Sequence, residues 1–558
     1  MRKNLILALS ASAFILTSCS KLGALSADNF EVTPNPLETQ AGQVPATING
    51  KFPEKYMKRN AVVTVIPELR YGNGKVARGE GATFQGEKVM GNDQTVSYRL
   101  GGRYTMKTAF DYVPRMQQSD MYLTFDARKG KKKVQIPDVK VATGVIATSE
   151  LYKQTLMNDG ACIAPDSFQR IQNQKQEANV KFLVNQAILR QSELKNNSVQ
   201  EFVRLLQRIN ADRGETLDIK NVEVEAFASP EGGFSYNDRL ASKRQDVSED
   251  YVKQQLKKTQ VDAAIDAHYT AQDWDGFQQL VQASNIQDKD VILRVLSMYK
   301  DPEEREQQIR NMSAGFQELA SGILPELRRS RMTINYNIVG RSDDEIKQQY
   351  ASDPTQLSVE EMLYAATLED NPAKKEEIYK TAAKFFDRDY RAYNNLAALE
   401  FNNGNDQAAK TYLEQAFRVN SKAPEAFANL GLIALKNGDL KEAEVNLANA
   451  IGANGFGQTL GILNIAKGNY AQAEANFEGA VSNSAALAQL LNKNYEAALK
   501  TLDSVKRPDA ITSYLHAIVA ARRGNKFAAE SYLKEALEKD PSLKAYSDND
   551  LEFSILRK

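Results

Sequence analysis

The strongest constraint on this chain is a periodicity in its C-terminal part. Leu396, Gly404, Ala409 and Ala416 recur as Leu430, Gly438, Ala443 and Ala450, each thirty-four residues on. The set returns thirty residues later as Leu460, Gly468, Ala473 and Ala480, with a shortened junction at Gly455-Phe456-Gly457. Asn494, Tyr495 and Ala498 mark a truncated unit, and Gly524, Ala529, Leu533, Ala536 and Pro541 a last one. A weaker helical pair is expected over residues 358–387. A unit of this length cannot bury its apolar face alone, so successive units must stack. Alanine lets the two helices of a unit approach closely, and the turn glycine permits the chain to reverse. Residues 358–558 are therefore expected to form an all-α solenoid with one continuous core and one groove.

Four positions kept in register over successive units resemble the tetratricopeptide repeat (TPR) family. The resemblance implies a curved scaffold whose concave face binds extended peptides or partner domains. Asn394, Asn395 and Asn429 fall on first helices. An Asn side chain donates and accepts at once, which suits a partner's main chain. They are the candidate partner-binding residues, the alternative being ordinary solvated helix faces. Leu551, Phe553, Ile555 and Leu556 are expected to cap the solenoid, and His516 to be a packed structural residue.

The N-terminus reads as an address. Met1-Arg2-Lys3 is positive, and Leu5 to Leu16 is apolar apart from Ser10 and Ser12. That run fits a secretory signal peptide and is too short to span a bilayer. It ends in Leu16-Thr17-Ser18-Cys19, and small residues before a Cys resemble the lipobox of bacterial lipoproteins. Residues 1–18 are then a lipoprotein signal peptide, and Cys19 is the lipidated (palmitate-bearing) first residue of a tether over 19–30. Each buried methylene contributes roughly 0.8 kcal/mol, so several acyl chains anchor a protein without a spanning helix. Ser20 follows, and no acidic residue comes before Asp28. The resemblance implies the periplasmic face of the outer membrane. Cys162 is left as a lone thiol, expected to be a bland buried or linker residue.

Residues 31–145 alternate with period two. Val96, Tyr98 and Leu100 interleave with Ser97 and Arg99, and Leu123 and Phe125 with Thr124 and Asp126. Such alternation means one buried and one wet face. Gly72-Asn73-Gly74 is a hairpin signal. An all-β sandwich is expected. Arg128-Lys129-Gly130-Lys131-Lys132-Lys133 reads as another hairpin tip. It either touches acidic lipid headgroups or polymer, or is a solvated turn whose like charges discourage edge pairing.

Residues 146–178 are mixed and polar and read as a linker. Val180, Phe182 and Val184 then alternate as a strand. Val199, Phe202, Val203, Leu206 and Ile209 form a helical stripe behind the capping pattern Ser198-Val199-Gln200-Glu201. Val222, Val224 and Ala226 make the next strand. The run from Val224 to Arg244 resembles the C-terminal, peptidoglycan-associating domain of the OmpA family, with Gly232, Asn237, Leu240 and Arg244 in the places of its motif. The resemblance implies an α/β domain over 179–340, closed by a strand at Met332, Ile334, Tyr336 and Ile338. It also implies cell-wall contact through the loop at Ser229, with Asn237 and Arg244. Guanidinium geometry suits a carboxylate, but Ser229 stands where the family has Asp, and Glu231 is the nearest substitute. Residues 258–326 are longer than the family pattern and read as a helical insertion, with Trp274 in its core and His268 packed or at the surface. A polar linker over 341–357 leads to the repeats.

The expected architecture is thus multidomain: an N-terminal all-β sandwich, an OmpA-like α/β domain with a helical insertion, and a C-terminal all-α TPR solenoid. Lys+Arg and Asp+Glu are both 71 in 558 residues, so no net charge draws the chain to nucleic acid. With two His and two Cys, no metal set, nucleophile elbow or His-Glu zinc motif can be assembled. No cofactor, metal site or catalytic activity is expected. The leading expectation is an outer-membrane-anchored periplasmic scaffold binding protein partners through its repeats. The alternative is a lipoprotein that anchors to peptidoglycan.

Overall fold

The computed structural model describes residues 22–159, 161–286, 289–311 and 318–557. The expected signal peptide and Cys19 lie outside the described residues. The chain divides into two compact units, one of residues 1–166 with 369–558 and one of residues 167–368. The β-rich region and the repeats therefore belong to one unit, although the whole second unit separates them in sequence.

The first unit opens with β1 (Phe30–Thr33), β2 (Leu37–Glu38), β3 (Gln43–Phe52), β4 (Ala61–Tyr71), β5 (Lys75–Arg78), β6 (Ala82–Gly86), β7 (Gln94–Val96), β8 (Gly102–Asp111), β9 (Ser119–Lys129), β10 (Lys132–Val134) and β11 (Val139–Ile146). One sheet has the order β1-β3-β8 and the other β2-β11-β9-β4-β6-β7, with β5 beside β4 and β10 beside β9. Their inner faces share one core. Val44, Ala46 and Ile48 come from the first sheet, and Val63, Val65, Met121 and Leu123 from the second. In β3 and β4 these buried positions alternate with more exposed ones, as the period-two reading required. The core also takes in Leu22 and Leu25, within the stretch expected to be a free tether.

The stretch expected as a polar linker after β11 is instead structured. A short helical turn at 148–151 leads into α1 (Tyr152–Asp159). Leu151, Tyr152, Leu156 and Cys162 join the solenoid core. The helix has only a weak amphipathic pattern because the solenoid surrounds it on more than one side, so periodicity did not reveal it.

Five helical pairs follow, with first helices Tyr390–Asn402, Pro424–Lys436, Phe456–Ala466, Asn483–Leu491 and Ala510–Arg522. The recurring alanines Ala409, Ala416, Ala443, Ala450 and Ala473 are fully buried. The recurring turn glycines Gly404, Gly438, Gly468 and Gly524 hold φ between +74° and +81°, where a side chain would be strained. His516 stacks on Tyr532 with ring centroids 4.6 Å apart.

The second unit is a four-stranded sheet of β12 (Ile171–Lys181), β13 (Leu217–Phe227), β14 (Ala264–Thr270) and β15 (Arg329–Val339), in the order β12-β15-β13-β14. The helices α2 (Asn197–Asp212) and α3 (Phe234–Thr259) share a core with this sheet. Phe202, Leu206 and Val252 meet Val222, Val224, Met332 and Ile334 there. Two expectations are corrected. The first strand starts at Ile171 and ends before Phe182, because its first half is exposed polar sequence without alternation. The helical insertion begins at Trp274 and not at residue 258, because Ala264–Thr270 pairs with β13 as an edge strand. Trp274 packs edge-on against Phe277 beside the insertion's own core. The expected linker over 341–357 contains a capped helix, Asp343–Ser352. Among the described residues no helix is long and apolar enough to cross a membrane.

A Cβ on Gly461 would lie 2.5 Å from the Phe477 ring, which is buried. Alanine gains about 1 kcal/mol of helix propensity, but overpacking costs about 1–3 kcal/mol. Gly461→Ala is expected to destabilise the solenoid by up to about 2 kcal/mol in urea unfolding; a raised midpoint would show that the helix pair can separate freely.

Candidate functional site

The solenoid groove holds a peptide, and the peptide is the chain's own. Beyond α1, residues 161–166 run extended along the first helices. In an extended chain, alternate residues present their N–H and C=O to the same edge. Cys162 and Ala164 do so here, and the three asparagines read them as a neighbouring strand would. Asn429 accepts from the Cys162 N–H at 2.7 Å and donates to its carbonyl at 2.8 Å. Asn394 donates to the same carbonyl at 2.9 Å. Asn395 accepts from the Ala164 N–H at 2.7 Å and donates to the Ala164 carbonyl at 3.1 Å. The amides also bond one another, Asn429 to Asn394 at 3.0 Å and Asn394 to Asn395 at 3.1 Å. All three are at most 1% exposed.

Neighbouring groups extend this clamp. Asn454 donates to the Ile163 carbonyl at 3.1 Å and Arg391 to that of Asp166 at 2.8 Å. The Tyr152 hydroxyl donates to the Leu435 carbonyl at 3.2 Å, and Ser484 donates to Thr155 at 2.8 Å. The Cys162 sulfur lies 3.3 Å from the Thr459 hydroxyl. Burial pushes this thiol up to about 11, so it is neutral at ordinary pH. The asparagines expected to receive a partner are thus committed to residues 162–164. Sequence reasoning identified the reader but not what it reads, because the two lie more than two hundred residues apart.

In the second unit the structure gathers Ser229, Asn237 and Arg244 around the loop between β13 and α3, and all three turn inward. Arg244 is 1% exposed. It donates to the carbonyls of Phe227 at 2.8 Å, Gln186 at 3.0 Å and Leu183 at 3.3 Å, and its guanidinium lies 5.0 Å from the Phe182 ring centroid. Burial, with Arg328 nearby, pulls it down to about 10. Asn237 donates to the carbonyls of Ser229, Glu231 and Gly232, each at 3.1 Å, and so closes the loop. Ser229 donates to Glu231 at 3.0 Å, and the Glu231 carboxylate is paired with Arg328 at 2.6 Å. The insertion reaches the same loop through Glu306, which accepts from the Gly232 N–H at 2.7 Å. Glu306 is a loop-binding residue that no sequence motif announced; Arg328 belongs to the basic run before the closing strand, a feature of the resemblance, but its pairing with Glu231 was not foreseen. Among the described residues, no group of three or more His, Cys, Asp or Glu is placed to hold a metal.

Residues 390–422, which include two of the groove asparagines, match the tetratricopeptide repeat family. No curated protein matches the chain. Solved structures similar to it include a tetratricopeptide repeat protein from Parabacteroides merdae (15% identity, TM-score 0.28, covering 39% of this chain and 91% of that one). Another is PilF of Pseudomonas aeruginosa (16% identity, TM-score 0.26, 39% and 99%). A chain of the APC/C hetero-tetramer Cut9–Hcn1 is a third (14% identity, TM-score 0.30, 64% and 81%). Likeness at that level adds nothing to the family match. The chain is multidomain, with a β-rich N-terminal region and a C-terminal helical region like tetratricopeptide repeats, a kind of repeat whose stacked surfaces serve protein interaction.

Cys162 reports directly on the clamp, since it is the one cysteine in a chain starting at Ser20. Asn429→Ala leaves a buried N–H and carbonyl short of partners, at about 1–3 kcal/mol. Maleimide labelling of native Cys162 is expected to accelerate roughly tenfold or more in this variant, since 1.4 kcal/mol is tenfold. Equal rates in variant and wild type would mean that the amide does not hold the segment.

Proposed function

We propose that the chain is a non-enzymatic scaffold lipoprotein, acylated at Cys19 and held at the periplasmic face of the outer membrane, that binds protein partners through its repeat solenoid. The observation that carries the reading is the filled groove. A solenoid whose concave face is bound to its own chain is a rigid body, and it offers partners its outer surface. Large apolar side chains stand exposed on and just after the second helices of the pairs: Val445 at 66%, Ile451 at 75%, Val481 at 53% and Phe527 at 83%. Exposed aliphatic and aromatic groups of this kind serve as anchors in interfaces. A photo-crosslinking residue placed at Val445 or Phe527 is expected to trap a discrete protein partner in intact cells. Crosslinks only from positions facing residues 161–166 would move partner binding back to the groove and overturn the outer-surface reading.

The β12-β15-β13-β14 order, with two helices packed on the sheet, supports taking residues 167–368 as a diverged OmpA-like module. Wall anchoring would require Arg244 to grip a foreign carboxylate, and its donors are directed to three backbone carbonyls. The Arg244→Ala protein is expected to lose about 3 kcal/mol of stability, and the wild type to stay in the supernatant with purified peptidoglycan. Co-sedimentation of the wild type that Arg244→Ala abolishes without loss of stability would restore the anchoring alternative.

A further inference from the structure

We propose that the end of the β-rich domain where the chain enters is a docking surface for an anionic phospholipid bilayer. At this end β3 finishes at Phe52 opposite Gly102 of β8, and β4 starts at Ala61 opposite Lys129, the last residue of β9. The loops 53–60, 87–93 and 97–101 and the turn at Gly130 therefore meet here. They are joined by main-chain hydrogen bonds: Gly130 to Asn60 at 2.9 Å, Lys88 to Arg59 at 2.7 Å, and Lys55 to Tyr98 at 2.6 Å. The surface is built, and does not depend on how a single hairpin happens to lie.

Its chemistry is one-sided. The three loops and residues 128–133 carry ten Lys or Arg against three Asp or Glu. Arg59 pairs with Glu87 at 3.4 Å and Lys133 with Asp126 at 3.6 Å, both pairs solvent-exposed, so a large positive excess remains. Two apolar side chains stand out among these cations, Met90 at 99% and Leu100 at 69% exposure. Neither contributes to the core. Cations around protruding apolar tips fit an interface that has phosphate charge outside and hydrocarbon just beneath. Nucleic acid or an acidic polysaccharide would use the charge and leave the tips in water.

Position supplies the independent argument. β1 begins at Phe30 opposite Gly50, two residues short of the end of β3, so the chain enters the domain at this same end. Leu22 and Leu25 are already buried in its core. Leu22 is the third residue after Cys19, and three steps of about 3.6 Å span roughly 11 Å at most. That is close to one Debye length at physiological salt, so lysines at this end would feel the headgroup charge. This step rests on acylation of Cys19. The opposite end of the strands faces the solenoid, where Gln40 donates to the Gly468 carbonyl at 3.4 Å, so the basic end points away from it.

The test uses the chain Ser20–Lys558, which retains every described residue and lacks the acylated cysteine. It is sedimented with vesicles of phosphatidylcholine alone and of phosphatidylcholine with phosphatidylglycerol. Binding is expected to the anionic vesicles only and to weaken with salt. Lys131→Gln/Lys132→Gln/Lys133→Gln should reduce it roughly tenfold or more, and Met90→Ser/Leu100→Ser should remove the salt-resistant part, with thermal melting unchanged in both. Absence of binding, equal binding to both vesicles, an unaffected lysine variant, or sedimentation with purified peptidoglycan in place of vesicles would overturn the proposal. Mass spectrometry of the mature protein reads acylation separately. A bare Cys19 would remove the anchor while leaving the vesicle result to stand or fall alone.

Discussion

Five hydrogen bonds from three asparagine side chains to the backbone of residues 162–164 are the contact on which the first unit depends. A buried extended segment must satisfy its main-chain groups, and a groove of helices has no free backbone edge to offer. Side-chain amides solve this because each carries a donor and an acceptor in one plane, as a peptide group does. Asn394, Asn395 and Asn429 therefore stand in for a β-strand on the surface of a helical array. They also fix register. A slip of one residue would turn the N–H and C=O of 162 and 164 away and leave the amides, in a buried site, only their bonds to one another.

The second unit obeys the same rule with a different residue. The segment after β12 leaves carbonyls at 183 and 186 pointing inward, the end of β13 leaves one at 227, and Arg244 supplies a rigid fork that meets all three. Neither kind of reader distinguishes a foreign ligand from the chain's own backbone. An amide or guanidinium in a concavity is evidence for recognition, but the object recognised is decided by whatever segment reaches it first. In both units that segment is covalently attached and already in place.

The repeats were legible in the sequence because their constraint is local. Ala409 must be small for its own helix pair to close, and the requirement returns thirty-four residues later. The alternation around Leu123 and Phe125 was legible for the same reason, whereas Val96, Tyr98 and Leu100 run off the end of β7 into a loop that leaves Leu100 exposed. Elements at the edges were not. The stretch 172–177 is polar and largely exposed on an edge strand, so it shows no period. Ala264–Thr270 alternates over only a few residues, and the helical stretches beside it masked the pattern. Least legible was the use of the groove. The residues facing Asn429 lie 267 positions away, and nothing in the local pattern of Ala161 to Asp166 marks it as a ligand. Glu306 and Arg328 meet their loop across 74 and 97 positions, again too far for a local pattern to show the contact.

That distance raises the question of why the segment docks at all. Closing a loop of that length costs about (3/2)RT ln n, roughly 5 kcal/mol. The five amide bonds, at a net of about 1 kcal/mol each, offset that and little more. The surplus must come from elsewhere, and Leu151, Tyr152 and Leu156, all nearly inaccessible, supply it at about 1.5–3 kcal/mol for each fully buried large apolar side chain. The two contributions divide the work. Apolar burial of α1 and its approach holds the segment against the solenoid, while the asparagines choose which residues lie where. A competing peptide that matched the main-chain pattern alone would gain the bonds but not the burial, and it would still have to displace a segment tethered at both ends. The groove is therefore closed to generic extended peptides by thermodynamics as well as by occupancy.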